Sequence, residues 1–263
     1  MQSKLWFAAW EEVQIAEKGP YILQEPVLPE LKSLLENLQD IKSEYAKVAG
    51  VKTDSSVYKE YFQAELQFPQ KSWSTLPILV FGIIPKEAAH FPVLFSAIKR
   101  EKNIIGCFFS KTGPYSSIKA HSGISNCMYR CHIGIEIPSS EADICGMRVG
   151  NDISAWHEGA FVYFDDSNYH ESWNHSPSDR VIMIVDIIKE EYRTRWKFIQ
   201  CRIIWSYLVL QLNEKLKFSW LKKLLCSQTH KPILDALAFL TFPMVSFMVF
   251  IKNEWTFKRM KQR

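Results

Sequence analysis

Two histidines and one arginine carry the chemistry this chain can do. His121 opens His121-Ser-Gly123, His170 closes Phe164-Asp-Asp-Ser-Asn-Tyr-His170 after an interval of 49 residues, and Arg180 follows ten residues later at the head of an apolar run ending at Asp186. A pair of neutral imidazoles can hold a borderline divalent ion. A buried guanidinium can hold a dicarboxylate through paired hydrogen bonds. The combination points to non-haem iron with 2-oxoglutarate.

Such groups need a rigid frame, and the middle of the chain reads as one. Short β-rich runs are expected at 78–83, 104–110, 117–121, 127–137, 160–165 and 181–188, with a helix over 91–99 whose first turn holds Pro92. Many short strands with one early helix predict a mainly β fold, a sandwich or jelly-roll barrel. The run from Met128 alternates: Arg130, His132, Gly134 and Glu136 share one face, and Tyr129, Cys131, Ile133, Ile135 and Ile137 the other. A polar face on an otherwise apolar strand should line a cavity or meet water. Ahead of these strands, apolar residues at Leu31, Leu34, Leu35, Leu38, Ile41 and Tyr45 predict an amphipathic packing helix over 28–48, entered through Pro29. Residues 50–75 read as a polar surface excursion. The expected organisation is an N-terminal segment 1–27, a catalytic-type domain 28–189, and a basic helical extension 190–263.

At 263 residues, 47% of them hydrophobic and 14% aromatic, the chain can bury a full core and is not disordered. The formal charge of +4 is uneven: 189–263 carries 15 Lys/Arg against 5 Asp/Glu, a net of +10. Six cysteines show no CxxC pair and no disulfide spacing, so a reducing, cytoplasmic setting is expected. The first residues turn acidic too early for a secretory leader. No nucleic-acid partner is expected. Residues 236–251 hold no charge and precede Lys252, Trp255, Lys258, Arg259, Lys261 and Arg263. A straight helix of that length covers about 24 Å, less than a hydrocarbon core of roughly 30 Å, and contains Pro243. A helix packed on the barrel and a segment dipping into a membrane without crossing it both fit. The aromatic and basic flank favours peripheral membrane contact through 236–263, at the cytoplasmic face.

The stretch from Ile118 through His121, Gly123, Asn126, Arg130, His132 and Gly134, with Arg148-Val-Gly, Trp156-His-Glu-Gly159 and 164–174, resembles the catalytic domain of the aspartyl/asparaginyl β-hydroxylase family. The resemblance covers about 30–190 and is strongest over 104–187. It implies a double-stranded β-helix of the jelly-roll, cupin-like kind with flanking helices, and it implies Fe(II), O2 and 2-oxoglutarate. Carried over by position, His121 and His170 look like the iron ligands, and Arg180 like the anchor of the distal carboxylate. Arg130 and His132 fall where the family contacts the cosubstrate near the metal, and Ser110 at the spacing of a serine that assists the arginine. The family's substrates would be aspartyl, asparaginyl or related amino-acid groups, free, in peptides or carrier-bound. Lipid acyl chains form the alternative, and a non-catalytic membrane-tethered binding protein of the same fold is the competing class.

Each of these residues also has a plainer reading. The wider oxygenase superfamily has a carboxylate two residues after the first histidine, and here that position is Gly123. Water, a remote carboxylate or an anion must then complete the site; chloride there would mean halogenation, and a lost ligand a degenerate enzyme. Asp166 is placed to orient His170 or a bound water, and Asp165 to cap a turn. Arg180 could pair with Asp179 or Asp186. Trp73, Trp156 and Trp173 read as packing, His157 and His175 as surface, and Arg148 as either support or substrate contact.

Overall fold

The computed structural model describes residues 5, 7, 19–51, 58–60, 64–216 and 231–261. Cys226 and the helical reading of 217–230 lie outside them, as do most of 1–18 and parts of the surface excursion. A 3-10 turn (Pro29–Leu31) leads into α1 (Lys32–Glu36) and α2 (Leu38–Val51), so the predicted N-terminal helix forms with a break at Asn37. Helix α3 (Pro92–Arg100) starts at its proline as expected. Its first free N–H groups are answered from α2: Glu44 accepts from Val93 N at 2.7 Å and Leu94 N at 3.1 Å.

Eleven strands follow the chain among the described residues: β1 (Lys59–Glu60), β2 (Gln67–Phe68), β3 (Trp73–Val80), β4 (Ile104–Thr112), β5 (Ser116–His121), β6 (Met128–Glu136), β7 (Cys145–Val149), β8 (Asp152–Ala155), β9 (Phe161–Asp165), β10 (His170–Asn174) and β11 (Arg180–Ile188). They form an antiparallel six-stranded sheet, β1-β3-β4-β11-β6-β9, and an antiparallel five-stranded sheet, β2-β5-β10-β7-β8. The expected runs cover β4, β5, β6, β9 and β11. The run expected at 78–83 meets β3 only over 78–80, since the chain turns at Phe81 and Gly82 with positive φ; β3 starts at Trp73, inside the region read as an excursion, because Pro77 and its polar neighbours hide the burial of Trp73, Leu76 and Ile78. β2, β8 and β10 are too short and polar to announce themselves.

Alternation sorts the larger sheet. Cys107 and Phe109 of β4, Cys131 and Ile133 of β6, and Val181, Met183, Val185 and Ile187 of β11 pack on Leu31, Leu34, Ile41 and α3. The opposite face sends Ile182, Ile184, Val162 and Phe164 against Cys145, Met147 and Val149 of the smaller sheet. Helices, large sheet and small sheet are thus three layers, and the inner space between the sheets is the jelly-roll interior. β11 is buried along its whole length, so its pattern shows only at its polar ends, Arg180 and Asp186.

Beyond the barrel, a 3-10 turn (Glu190–Arg195) leads to α4 (Trp196–Leu216), and α5 (Lys231–Lys261) closes the described chain. The first turns of α4 belong to the barrel: Ile199 and Ile203 share a core with Ile105, Met128 and Ile188. Pro243 does not end α5, whose 31 residues span about 46 Å. The expectation of a short interrupted segment is corrected here. The candidate span Asp235–Lys258 is long and apolar enough, by length and composition, to cross a membrane.

Candidate active site

His121 and His170 are register partners across β5 and β10, with ring centroids 4.3 Å apart. Simple alternation along β5 would put His121 on the face opposite to Ile118. Between Ile118 and His121 three steps on β5 face two on β10, from Ser172 to His170. That bulge turns His121 to the same side as His170, as bulges beside active sites commonly do. Each ring is fixed by its own strand: His121 Nδ1 lies 2.7 Å from Lys119 O, and His170 Nδ1 lies 2.8 Å from Asn168 O. A carbonyl can only accept, so both Nδ1 atoms carry the proton and each Nε2 is left with a lone pair. Burial, opposed only by the Lys119 carbonyl, pulls His121 down to about 4. Burial and the neighbouring His121 hold His170 well below the ordinary range. Both imidazoles are therefore neutral at physiological pH, the state a metal requires.

The turn from β9 to β10 passes between the two sheets and carries Asp166 beneath this pair. Asp165 builds the turn, accepting from Ser167 N at 3.0 Å and Ser167 Oγ at 2.7 Å, with Lys189 on its other oxygen. Asp166 is buried, 4.0 Å from His170 Nε2 through Oδ1. Arg130 Nη1 lies 2.7 Å from the same oxygen, off the line of a hydrogen bond, and neither carboxylate oxygen has a hydrogen-bonding partner. Burial raises Asp166 to about 7, with Arg130 opposing. Gly123 donates its N–H to Asp166 O at 2.7 Å, and a Cβ at 123 would lie 1.8 Å from Asp166 Oδ2. The space a side chain at 123 would fill is occupied by the Asp166 carboxyl, which is the steric reason for glycine there.

Across the inner space Arg180 is 1% exposed. Its Nη2 donates to Thr112 Oγ1, while Nε and Nη1 have no partner among the described residues. The two acids that could have neutralised it are engaged elsewhere: Asp179 with Lys111 at 3.3 Å, and Asp186 with Arg130 in a fork, Nε to Oδ1 at 2.8 Å and Nη2 to Oδ2 at 3.1 Å. The guanidinium lies 4.3 Å above the Trp156 ring, and burial lowers it to about 10. Trp156 Nε1 and both ring nitrogens of buried His132 are also unpartnered. Burial and the flanking Arg130 keep His132 neutral. Phe164 joins the two ends of the space, 5.1 Å from His170 and 5.2 Å from His132 by ring centroids.

His121, His170, His132 and Arg180 are thus gathered on one inner surface. Arg130 shares that face of β6 but is committed to Asp166 and Asp186. Ser110 is buried on the face of β4 that also carries Thr112, and its hydroxyl accepts from Trp73 Nε1 at 3.0 Å; the hydroxyl on Arg180 is that of Thr112. Arg148 points outward and pairs with Glu171 at 2.8 Å. Thr112 escaped sequence reasoning, and Trp156, read there as packing, is buried but also stacks on Arg180. The two-residue step from Ser110 could have found Thr112, whereas the motif around Trp156 does not show that its ring meets Arg180.

Among the described residues no three His, Cys, Asp or Glu side chains converge as a ligand set. Two imidazoles with free Nε2 atoms and a carboxyl close by fit an ion that keeps part of its shell as water or cosubstrate. The unpartnered donors of Arg180, His132 and Trp156 fit a carboxylate-bearing molecule.

The profile of the family described as "Aspartyl/Asparaginyl beta-hydroxylase" matches residues 35–190. Similar proteins include an ornithine lipid ester-linked acyl 2-hydroxylase from Rhizobium tropici, 32% identical over 118 residues, covering 44% of this chain and 42% of that protein. Human aspartyl/asparaginyl beta-hydroxylase is 38% identical over 79 residues, 30% of this chain and 10% of the relative. Aspartate beta-hydroxylase domain-containing protein 2 of Xenopus tropicalis is 25% identical over 185 residues, 64% and 46%. The chain spans less than half the length of these three relatives. Among solved structures, a Pseudomonas putida prolyl-4-hydroxylase aligns with TM-score 0.40 and 12% identity, covering 62% of this chain and 100% of that one. With more than half its length inside the family's profile, this chain belongs to the aspartyl/asparaginyl beta-hydroxylase family.

Proposed function

We propose that the protein is an Fe(II)- and 2-oxoglutarate-dependent dioxygenase that hydroxylates an unactivated C–H bond. The observation that carries the reading is Arg180, a side chain 1% exposed with two guanidinium nitrogens, Nε and Nη1, that no atom of the described residues answers. An unpaired buried charge is expensive, and folds keep one where a ligand supplies the counter-charge. His121 and His170 would hold the iron through Nε2. Bound there, it supplies the oxidising chemistry that inserts one atom of O2 into a C–H bond while 2-oxoglutarate becomes succinate and CO2.

The chain's own contribution is position and charge. Arg180, with Thr112 fixing one of its nitrogens and Trp156 its plane, binds the distal carboxylate of 2-oxoglutarate. His132, neutral and unpartnered, donates toward the end nearer the histidines. Arg130, fixed by the fork to Asp186, holds Asp166 beside His170, where the carboxyl can accept from a water in the coordination shell. Phe164, Ile182 and Ile184 keep the inner space apolar. No side chain is needed as general base for the substrate. Ser110 accepts from Trp73, whose ring lies 6.3 Å from that of His121, and so supports this assembly indirectly.

The substrate reading is an aspartyl, asparaginyl or related amino-acid group, free, in a peptide or carrier-bound, after the family's name. A lipid acyl chain is the second reading. The exposed apolar face of α5 favours it, as does the similarity to a protein named as a lipid acyl 2-hydroxylase. The five described cysteines are free and buried, which accords with a reducing compartment.

Succinate release from 2-oxoglutarate, with Fe(II), ascorbate and O2, tests the proposal. Wild type should turn over slowly without substrate and His121→Ala or His170→Ala should not. Wild type without turnover or metal binding would favour a non-catalytic binding protein. A screen of amino acids, peptides, carrier-bound aminoacyl groups and lipids, read by a gain of one oxygen mass, identifies the substrate; a chlorinated product would mean halogenation.

A further inference from the structure

We infer that α5 is an in-plane membrane anchor, its outer face sunk into one leaflet of an anionic bilayer and its inner face held on the protein. As far as Ile251 the outer face is apolar without interruption: Phe239, Leu240, Phe247, Met248 and Ile251 recur at helical spacing and are each at least half exposed, up to 74% for Leu240, and Trp255 follows at 51% beside exposed Glu254. With Met244 and Phe250 this face presents on the order of 1,000 Å² of apolar surface, against the 300–600 Å² of the largest patch on a typical monomer. A helix packed into the core would show the reverse pattern, so the plain reading of a core helix does not hold for this face.

Charge selects the occupant. Residues 236–251 carry none, exposed Lys252, Glu254 and Lys258 follow with cations in excess, and the chain from 189 onward is +10. Two copies joined through this face would bring two such extensions together, whereas an anionic leaflet attracts them and takes up Trp255 at headgroup level.

The contacts of the inner face decide between lying and crossing. At its start α5 is tied to α4: Asp235 Oδ1 accepts from Arg202 Nε at 2.9 Å, Ala238 O lies 3.4 Å from Cys201 Sγ, and Trp205 Nε1 donates to Thr241 Oγ1 at 2.7 Å. At its end it is tied to the β3–α3 connection. Asn253 accepts from Ile84 N and donates to Gly82 O, both at 2.9 Å, and Phe257 packs 5.5 Å from Phe95. The two holding elements are one body, because Gln200 of α4 donates to Phe81 O at 2.6 Å and Ile199 and Ile203 lie in the barrel core. The 24 residues Asp235–Lys258 reach about 36 Å, enough to cross. Crossing would put one end of this body on each side of the bilayer, so α5 lies along the surface instead.

The inference is independent of the oxygenase reading, and its test uses no turnover. Full-chain protein is floated with phosphatidylcholine vesicles, with or without phosphatidylserine. Wild type should float, preferentially with the anionic vesicles. Phe247→Glu/Met248→Glu, two positions exposed to solvent, should keep the melting temperature and lose more than about a hundredfold in partition. In a Cys226→Ser background, labels on Leu240→Cys, Phe247→Cys and Ile251→Cys should be quenched to equal depth by lipid-borne quenchers. Wild type that does not float, or a double variant that floats like wild type, overturns the inference. So does a stepwise gradient of depth along the helix, which would mean crossing, or a dimer broken by the double variant without vesicle binding, which would assign the face to a second copy.

Discussion

Replacing Arg180 by methionine should improve the empty protein and ruin it as a receptor. In the empty fold the guanidinium has one hydroxyl partner, Thr112, and two buried nitrogens with none among the described residues. Exchanging a buried, uncompensated charge for an apolar chain of similar length is neutral to stabilising by about 1–4 kcal/mol, so urea denaturation of apo Arg180→Met should give a midpoint at or above wild type. The cosubstrate loses two charge-assisted hydrogen bonds of about 1.5–3 kcal/mol each, a rise of more than about a hundredfold in dissociation constant. Calorimetric titration of 2-oxoglutarate into Mn(II)-loaded protein reads that loss without turnover. Trp156→Phe keeps the stacked ring and removes only the indole N–H, so it should weaken binding by about tenfold or more at unchanged stability. An Arg180→Met protein that binds 2-oxoglutarate like wild type refutes the anchor. One that unfolds far more easily makes Arg180 a structural residue.

The contact between Gly123 and Asp166 predicts a compensating pair: Gly123→Ala alone should cost about 1–3 kcal/mol by overpacking, and combining it with Asp166→Ala should recover most of that in a double-mutant cycle; simple additivity would place the Asp166 carboxyl elsewhere. Metal affinity should change with pH through Asp166 rather than the histidines. His121 protonates only near 4 and His170 lower, so neither gains a proton between pH 5.5 and 8, whereas Asp166, raised to about 7, is protonated below that value and ionised above it. A cation favours the carboxylate, so Mn(II) affinity should fall as pH drops through 7, by at most about tenfold per unit; Asp166→Asn should flatten the slope, and an unchanged slope in that variant would assign it to another group.

Much of this protein is legible from residue order alone. Period-two alternation in β6 separates Arg130 and His132 from the core-facing Cys131 and Ile133, because a pleated strand must send successive side chains to opposite faces. Helical spacing from Leu31 to Tyr45 marks the packing helix, and the motifs around His121 and His170 identify the family. Convergence is another matter. The bulge that turns His121 toward His170 depends on the pairing of β5 with β10, and the filling of the position beside Gly123 by Asp166 depends on a turn that crosses between the sheets. The isolation of Arg180 follows from Asp179 and Asp186 choosing other partners, and the outward apolar face of α5 from contacts at its two ends. Local sequence determines which way a side chain points along its own element. Which lone pairs, charges and apolar faces are left unanswered is settled only when distant segments have claimed their partners, and those remainders are what the proposed ligands would answer.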